Sequence, residues 1–357
     1  MKGHTMKFPR GRGTASGIDG RYLEFNREAV EDGWFREMED NGPATCVMVE
    51  KPRTIISRNR SPDIPFEQSI NPYRGCEHGC IYCYARPTHA YLDLSPGIDF
   101  ETRLFAKDNA AELLRRELAR PGYRCRTIAM GTNTDPYQPV ERERRITRRI
   151  IEVLWECRHP LTIVTKSRLV ERDIDILAPM ANEGLLKIFL TVTTLDNDLA
   201  RRLEPRAGAP RRRVECIRNL NRAGIPVGVL AAPVIPFLND TEMESILEAS
   251  SAAGAETAAY IMLRLPHEIK ILFQEWLQQH VPLKADHIMS MVRDIRGGKE
   301  NDPNFFSRHS GRGIYADMIN RRFEHQCKRL GLNKVERDLT TEKFLKPRQQ
   351  TDQLDLF

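Results

Sequence analysis

The sequence has no run of apolar residues that approaches the roughly 20 needed to cross a lipid bilayer. Its basic N-terminus, MKGHTMKFPRGRGTASGIDG, also has no apolar stretch of the kind that a secretory signal contains. From these two absences we expect a cytoplasmic protein that does not associate with membranes. A hydrophobic content of 40% and a charged content of 29% are typical of a globular chain.

The eight cysteines do not form a disulfide framework, because five of them are scattered without regular spacing. These five are Cys46, Cys125, Cys157, Cys216 and Cys327. Reduced thiols together with a metal site therefore describe the cysteines better than secreted disulfides do. The net charge of +6 is a mild basic excess, which suits a polyanionic partner but also occurs in many soluble enzymes.

Short apolar runs alternate with segments of helical spacing from about residue 65 to residue 280. The runs predict buried parallel strands at 127–132, 161–166, 187–194, 227–234 and 258–265, with a further strand near SINPYR. Helices are predicted at 108–119, 143–157, 170–182, 211–224 and 241–253. This alternation indicates about six parallel βα units, fewer than the eight of a closed barrel.

We therefore predict an α/β fold, a partial (β/α)6 TIM-like barrel, with a flat doubly wound sheet as the structural alternative. Polar residues at the carboxyl ends of the predicted strands favour the barrel, because barrel chemistry gathers there. They are Asn133, Asp135, Lys166, Thr193, Thr194 and Asn239.

The barrel is predicted to carry extensions at both ends. Residues 1–64 form a basic N-terminal extension, partly disordered over about the first 20 residues, and residues 65–280 form the barrel. Residues 281–335 form a basic helical and loop extension whose last helix ends at Gly331. Residues 336–357 form a flexible tail.

Three cysteines, Cys76, Cys80 and Cys83, are packed into eight positions of the stretch INPYRGCEHGCIYCYAR, and no fourth accompanies them. Structural zinc, with His78 or His89 as fourth ligand, is one interpretation, but zinc sites usually pair two separated arms. A [4Fe–4S] cluster is the other, since three thiolates would leave one iron without a protein ligand.

The spacing C-x3-C-x-aromatic-C, formed by Cys76, Cys80, Tyr82 and Cys83, resembles the signature of the radical SAM superfamily. The resemblance implies that the open iron binds S-adenosylmethionine (SAM) and that the reduced cluster cleaves it to methionine and a 5′-deoxyadenosyl radical. It also implies that Tyr82 packs by the adenine and that a protein such as flavodoxin or ferredoxin supplies electrons.

The strand-end residues suit the polar groups of SAM. Lys166 can meet the carboxylate, and Thr193 or Thr194 can bond the ribose or the carboxylate. Asn133, Thr134 and Asp135 can receive the ammonium group. Many members of the superfamily have Gly-Gly-Glu after the second strand, whereas this chain has GTNTDPYQPVE.

The segments NTDPYQPVE and VTKS resemble the spore photoproduct lyase branch, whose members open a thymine dimer in DNA. The resemblance covers about residues 65–280. Those lyases return a hydrogen atom from a cysteine, and the position that aligns with it here is Thr132. A hydroxyl O–H bond is far stronger than a thiol S–H bond, so Thr132 cannot replace that cysteine. Repair of spore photoproduct itself is therefore not the predicted reaction.

The last five residues, QLDLF, resemble the peptide by which bacterial polymerase and repair proteins bind the DNA sliding clamp. In that mode Leu354, Leu356 and Phe357 fill apolar pockets and Gln353 fixes the register by hydrogen bonds. The alternative is that these residues fold back on the barrel.

The predicted function is a radical SAM enzyme that acts on DNA, with a repair-like, lyase-type reaction. The segments PRGRGTASG and RHSGRGIYADMINRRF are candidates for phosphate contacts. Two alternatives remain: the same chemistry on RNA or on a protein residue, or a zinc-stabilised nucleic-acid-binding module without catalysis.

Overall fold

The computed structural model describes residues 11–14, 16–22, 44–334 and 338–347. Within these residues, ten strands are arranged in two sheets. The strands are β1 (Cys46–Val49), β2 (Ile56–Arg58), β3 (Gln68–Ile70), β4 (Tyr73–Arg74), β5 (Arg103–Ala106), β6 (Ile128–Met130), β7 (Leu161–Thr165), β8 (Leu186–Thr191), β9 (Val227–Val234) and β10 (Thr257–Met262).

Helices connect the strands and continue after the last one. The α-helices are α1 (Asp99–Thr102), α2 (Ala110–Ala119), α3 (Glu141–Arg144), α4 (Ile146–Glu156), α5 (Ile174–Asn182), α6 (Asn197–Leu203), α7 (Pro210–Arg222), α8 (Met243–Ala252), α9 (Ile269–His280), α10 (Pro282–Asp294), α11 (Ser307–Ser310) and α12 (Ile314–Leu330). Short 3-10 helices span Arg86–Leu92, Arg168–Asp173 and Asp240–Glu242.

The larger sheet has the strand order β10-β9-β8-β7-β6-β3-β2. Its six strands from β3 to β10 are parallel, and only the edge strand β2 is antiparallel. The parallel strands follow one another in chain order without a reversal. A doubly wound sheet needs such a reversal to place helices on both faces. The order therefore confirms the partial six-unit barrel and rejects the flat alternative.

Burial explains why these segments form these elements. Side chains along β7 alternate between fully and partly buried, as they do when a strand has a packed face on each side. In α4, Ile146, Ile150, Val153 and Leu154 are buried along one stripe, as the spacing predicted. The helix that the sequence predicted to end at Gly331 is α12, and Gly331 caps it with a φ of 74°.

The three-stranded sheet, of order β1-β5-β4, joins the predicted N-terminal extension to the barrel. The predicted C-terminal extension also contributes to the core. Ile288 and Val292 of α10 are buried in one apolar cluster with Cys80 and Tyr82. Of the predicted tail, Phe344 packs against Tyr123 and His159, with ring centroids 5.5 and 5.4 Å away.

Within the described residues, no helix is long and apolar enough to cross a membrane. The clamp-binding-like peptide Gln353–Phe357 lies outside the described residues.

Candidate active site

The three clustered cysteines lie on the loop between β4 and the 3-10 helix Arg86–Leu92. Cys76 and Cys80 are buried, and Cys83 is half-buried. Gly75 precedes the loop with a φ of 77°, and a Cβ there would lie 2.8 Å from the Phe100 carbonyl oxygen. Glycine is required because it alone combines this backbone angle with this close approach. The loop is thus packed tightly against α1.

Burial raises the pKa of the Cys76 thiol well above its ordinary value, and nearby negative charge on Asp135, Cys80 and Cys83 raises it further. Burial also raises the pKa of Cys80 to about 12, although Lys166 opposes the shift. The three cysteine sulfurs are therefore close enough for electrostatic interaction. Buried thiols of this kind need a bound cation to become thiolates, and three soft sulfur donors on one loop suit an iron–sulfur cluster.

Each histidine of the zinc alternative contacts another group of the protein through one ring nitrogen, although the Nδ1 of His89 is buried without a hydrogen-bond partner among the described residues. His78 Nδ1 lies 3.3 Å from Asp135 Oδ2, and His89 Nε2 lies 3.0 Å from the carbonyl oxygen of Arg103. In the part of the chain that the structure describes, no three His, Cys, Asp or Glu side chains are spaced to hold a single metal ion. The thiolates of a cubane need not converge in this way, because they bind different iron atoms.

Lys166 follows β7 directly and lies beside the cysteine loop. Its ammonium is 5.9 Å from the centre of the Tyr82 ring, and its charge acts on both Cys80 and Glu204. Among the described residues, the ammonium has no hydrogen-bond acceptor and no carboxylate within ion-pair distance. A half-buried cation without a partner is suited to an anionic ligand group.

Glu204 and Arg213 form a buried ion pair beneath Tyr82, and sequence reasoning missed both. Tyr82 donates a hydrogen bond to Glu204 and lies 3.1 Å from the Thr193 hydroxyl. Thr193 in turn donates to Glu204 over 2.6 Å. Burial alone would raise the pKa of Glu204, but Arg213 and then Lys166 lower it to about 2. The network fixes Tyr82 and Thr193 with their polar groups turned toward a buried carboxylate.

A sequence signal for Arg213 existed, whereas none existed for Glu204. Arg213 lies four and seven residues before Ile217 and Leu220, so it falls on the apolar stripe of α7. A charged residue on such a stripe indicates a buried partner. Glu204 lies in the arginine-rich stretch RRLEPRAGAPRRR, which resembles an ordinary charged surface segment.

The predicted ammonium-binding residues follow β6 and are largely engaged by the protein. Asp135 accepts bonds from the Thr165 hydroxyl at 2.7 Å and the Lys166 backbone N–H at 2.8 Å. Burial opposes ionisation, but His78, Thr165 and Lys166 lower the pKa of Asp135 to about 2. Asp135 thus joins the ends of two strands to the cysteine loop.

Thr134 donates a 2.6 Å hydrogen bond to the carbonyl oxygen of Gly75, and the Asn133 backbone N–H donates to Asn71. The structure therefore brings Tyr82, Asp135, Lys166 and the cysteines together around one loop. Thr134 supports the loop through its hydrogen bond to Gly75. Thr194 lies apart from this group and donates to Glu242 at 2.5 Å.

An N-terminal strap, residues 11–14 and 16–22, crosses the outside of the cysteine loop. Arg12 donates to the Glu101 carbonyl oxygen at 2.9 Å, and the Gly13 N–H donates to the Glu101 carboxylate at 2.9 Å. Thr14 and Ser16 are buried. Part of the segment expected to be disordered is therefore packed against the site, and Arg12 of the motif PRGRGTASG faces Glu101 in the interior.

The Radical SAM superfamily profile matches residues 70–249. An uncharacterised protein of Mycobacterium tuberculosis is 38% identical over 245 residues, which cover 68% of this chain and 71% of that protein. One of Methanocaldococcus jannaschii is 27% identical over 213 residues, covering 60% and 76%.

Among solved structures, a spore photoproduct lyase variant with bound AdoMet and dinucleoside spore photoproduct superposes with a TM-score of 0.57. It covers 80% of each chain at 14% identity, so the likeness is one of fold. The profile match includes the cysteine loop, the Lys166 strand end and the Glu204–Arg213 pair. The chain therefore belongs to the radical SAM superfamily.

Proposed function

We propose that this protein is a radical SAM enzyme that binds a [4Fe–4S] cluster and SAM and that acts on DNA. The observation that carries the proposal is the placement of the Lys166 ammonium, unpaired among the described residues, beside three buried or half-buried cysteines on one loop. Cys76, Cys80 and Cys83 would hold the cluster. When bound, the cluster would supply the electron that cleaves SAM to methionine and a 5′-deoxyadenosyl radical, which abstracts hydrogen from the substrate.

The residues around the loop would bind and orient SAM. Lys166 would pair with its carboxylate, because a charged hydrogen bond is strongest where water is largely excluded. Tyr82, held by Glu204 and Thr193, would pack by the adenine. Asn133, Thr134 and Asp135 would bind the ammonium group of SAM. Asp135 would also position Lys166, because it accepts a hydrogen bond from the Lys166 backbone N–H.

A DNA substrate is supported by three independent features. The chain has a net charge of +6, and its last five residues resemble a clamp-binding peptide. A protein of the same fold has been solved with a dinucleoside spore photoproduct. Binding to the sliding clamp and an electron donor such as flavodoxin or ferredoxin are part of the same proposal, as is a cytoplasmic location.

The cofactor proposal is tested by iron and acid-labile sulfide analysis of anaerobically purified protein. We expect about four irons and four sulfides in the wild type, and their loss in Cys80→Ala. Cys157→Ala, which removes a buried cysteine outside the loop, is the matched control and should retain the iron. A colourless protein that holds one zinc would instead support the zinc-stabilised binding module.

The substrate proposal is tested by anaerobic turnover with dithionite on irradiated, deuterium-labelled duplex DNA. Deuterium in the released 5′-deoxyadenosine would identify DNA as the polymer attacked. Deuterium that appears in 5′-deoxyadenosine only with labelled RNA or peptide would show that the same chemistry acts on one of the alternative substrates. No 5′-deoxyadenosine after full reconstitution would reject catalysis.

A further inference from the structure

A second group of basic side chains lies at the carboxyl end of β10, beside Tyr84 of the cysteine loop. Arg264 follows β10 by two residues, and its charge acts on Tyr84, which follows Cys83. Arg296 and His309 come from the segment after residue 280, which packs against β10 through α11. The group therefore faces the same end of the barrel as the cysteines.

Arg296 is buried, and its guanidinium ties the segment to the strand. It donates to the carbonyl oxygens of Ser307 and Arg308 at 3.0 and 2.9 Å and to that of Leu263 at 2.7 Å. These acceptors are all neutral, so none balances the arginine charge. The Nε atom of Arg296 is buried and has no acceptor.

Arg264 is half-buried and forms no hydrogen bond or ion pair with any described residue. Its Nε is buried without an acceptor, and so is the Nδ1 of His309, whereas His309 Nε2 lies 3.5 Å from Asp63 Oδ2. Buried polar groups without partners are rare in folded proteins and mark places where a ligand or water completes the structure. Here the unsatisfied atoms belong to three side chains of one cluster.

The carboxylates nearby are already committed. Asp63 forms a bidentate pair with Arg308, at 2.6 and 2.7 Å, and accepts the Phe306 N–H. Asp302 accepts from Ser307 at 2.6 Å and lies 3.6 Å from Arg312. Four arginines thus face two carboxylates. Burial and the neighbouring Arg264 lower the pKa of Arg296 to about 10, and the charge of Asp302 only partly opposes this shift.

Large aromatic side chains stand exposed beside these cations. Phe305 and Phe306 are 50% and 66% exposed, and Tyr84 is 52% exposed. The Phe305 ring lies 5.1 Å from the Arg308 guanidinium. Phe306 has a φ of 65°, a conformation that bulky residues rarely adopt. Exposed rings next to a cluster of arginines are the combination that binds nucleic-acid strands, with phosphates on the cations and bases on the rings.

We propose that Arg264, Arg296 and His309 form a binding site for a backbone phosphate of a polynucleotide, with Phe305 and Phe306 as the adjoining surface for its bases. The proposal rests on the proposed function and names the part of the chain that holds its substrate. The motif RHSGRGIYADMINRRF was a candidate for phosphate contacts. However, Arg308, Arg312 and Arg322 within it are paired with carboxylates, whereas Arg264, which lies outside it, forms no ion pair with a described residue.

The test is fluorescence anisotropy of a labelled single-stranded oligonucleotide, titrated with the holoprotein at several salt concentrations. We expect Arg264→Gln to bind roughly tenfold more weakly and to reduce the slope of log affinity against log salt by about 1. Arg222→Gln, an exposed arginine at the opposite end of the barrel, removes the same charge and should leave affinity and slope unchanged. Equal affinity and slope in Arg264→Gln and the wild type would overturn the site.

Two further variants distinguish the contribution of the Arg264 charge to binding from that of base stacking on Phe306. Arg264→Lys should keep the wild-type salt slope, because the charge remains. Phe306→Ala should weaken binding of the base-containing oligonucleotide by roughly tenfold without changing the slope, and should not affect an abasic one. Loss of affinity for both oligonucleotides in Phe306→Ala would overturn the stacking surface.

Two more titrations identify which ligand supplies the anion that Arg264 binds. SAM affinity should be the same in Arg264→Gln and the wild type, and a fall in SAM affinity would mean that Arg264 serves the cofactor and would overturn the proposal. Tight binding of free AMP that also depends on Arg264 would identify a mononucleotide site and would overturn it too. If the wild type binds no polynucleotide, the proposed DNA substrate fails together with this site, whereas cluster and SAM chemistry stay untouched.

Discussion

Lys166 is the residue whose surroundings point most directly to a ligand. Its ammonium lies next to Tyr82 and Cys80, and the described residues offer it no anion. Leaving a cation unpaired in a partly buried position costs free energy, so a fold that keeps one there has a use for it. In the proposed function that use is the carboxylate of SAM.

We expect Lys166→Gln to keep its iron and sulfide but to bind SAM about 10- to 100-fold more weakly, because one charged hydrogen bond is lost. The measurement is the change that added SAM produces in the electron paramagnetic resonance signal of the reduced cluster. Lys270→Gln removes an exposed lysine of α9 and is the matched control. Wild-type SAM affinity in Lys166→Gln would contradict this role.

Glu204 shows how a buried charge depends on its partner. Removal of one member of a buried ion pair leaves the other uncompensated, and Arg213 is 1% exposed. We therefore expect Glu204→Gln to lower the free energy of unfolding by about 3–5 kcal/mol, measured by urea denaturation. Glu215→Gln, which breaks an exposed pair on α7, should cause no measurable change. Equal losses in both variants would contradict the proposed difference.

The Glu204–Arg213 pair also predicts how the stability of the folded protein changes with pH. The pKa of Glu204 is lowered from 4.5 to about 2 in the folded protein. A lowered pKa means that the ionised group stabilises the fold at neutral pH. This contribution is present above pH 4.5 and is lost as the pH falls toward 2. Glu204→Gln should therefore flatten the fall in stability between these two pH values.

At the scale of elements, the strap is the feature that links the start of α1 to α9 beside the cysteine loop. The Ile98 N–H donates to the Ser16 carbonyl oxygen at 3.1 Å, and the Ser16 hydroxyl donates to Glu275 of α9. Arg21 pairs with Glu268, one residue before α9, at 3.0 Å. The strap thus shields the outer side of the loop and depends on α9 for its position.

The strap can be displaced by one methyl group. A Cβ at Gly13 would lie 1.8 Å from the carbonyl oxygen of Gly79, a distance that no real contact allows. We expect Gly13→Ala to lower the free energy of unfolding by about 1–3 kcal/mol and to speed the loss of iron–sulfur absorbance in air. A Cβ at Gly17 meets nothing within 4 Å, so Gly17→Ala is the control. If Gly13→Ala and Gly17→Ala lose their iron–sulfur absorbance in air at the same rate, the strap does not protect the loop.

For the whole molecule, the barrel brings the proposed cofactor site and the proposed phosphate site to one end. Lys166 follows β7 and lies beside Tyr82 of the cysteine loop, and Arg264 follows β10 and interacts with Tyr84 of the same loop. Parallel strands place all their carboxyl ends on the same side, which is why residues distant in sequence meet there. A substrate held at Arg264 would therefore lie next to SAM.

The tail gives a separate prediction about the whole protein. Deletion of residues 353–357 should abolish co-elution with the sliding clamp, because Leu354, Leu356 and Phe357 are the proposed apolar anchors. Turnover on free oligonucleotides should be unchanged, since clamp binding would act by raising local concentration. A Gln349→Ala/Gln350→Ala variant changes the tail without touching the anchors. Undiminished co-elution after the deletion would refute docking through this peptide.

Local periodicity was sufficient to predict most of the fold. The apolar runs and helical stripes predicted the six parallel strands and α2, α4, α5, α7 and α8, because strand and helix spacing are local properties. The three-stranded sheet was missed, since its strands are only two to four residues long and pair across distant parts of the chain. Helix α10 was missed because its segment lies beyond the βα alternation.

The sequence by itself determined the chemistry of the site, through three thiols whose spacing brings them onto one loop and a lysine at the end of a strand. Only the tertiary structure decided which charges are balanced. Glu204 pairs with Arg213, Glu101 with Arg86, and Asp63 with Arg308, whereas Lys166 and Arg264 have no ion-pair partner among the described residues. Ion pairing depends on distances between residues far apart in the chain, and no local pattern of the sequence contains those distances.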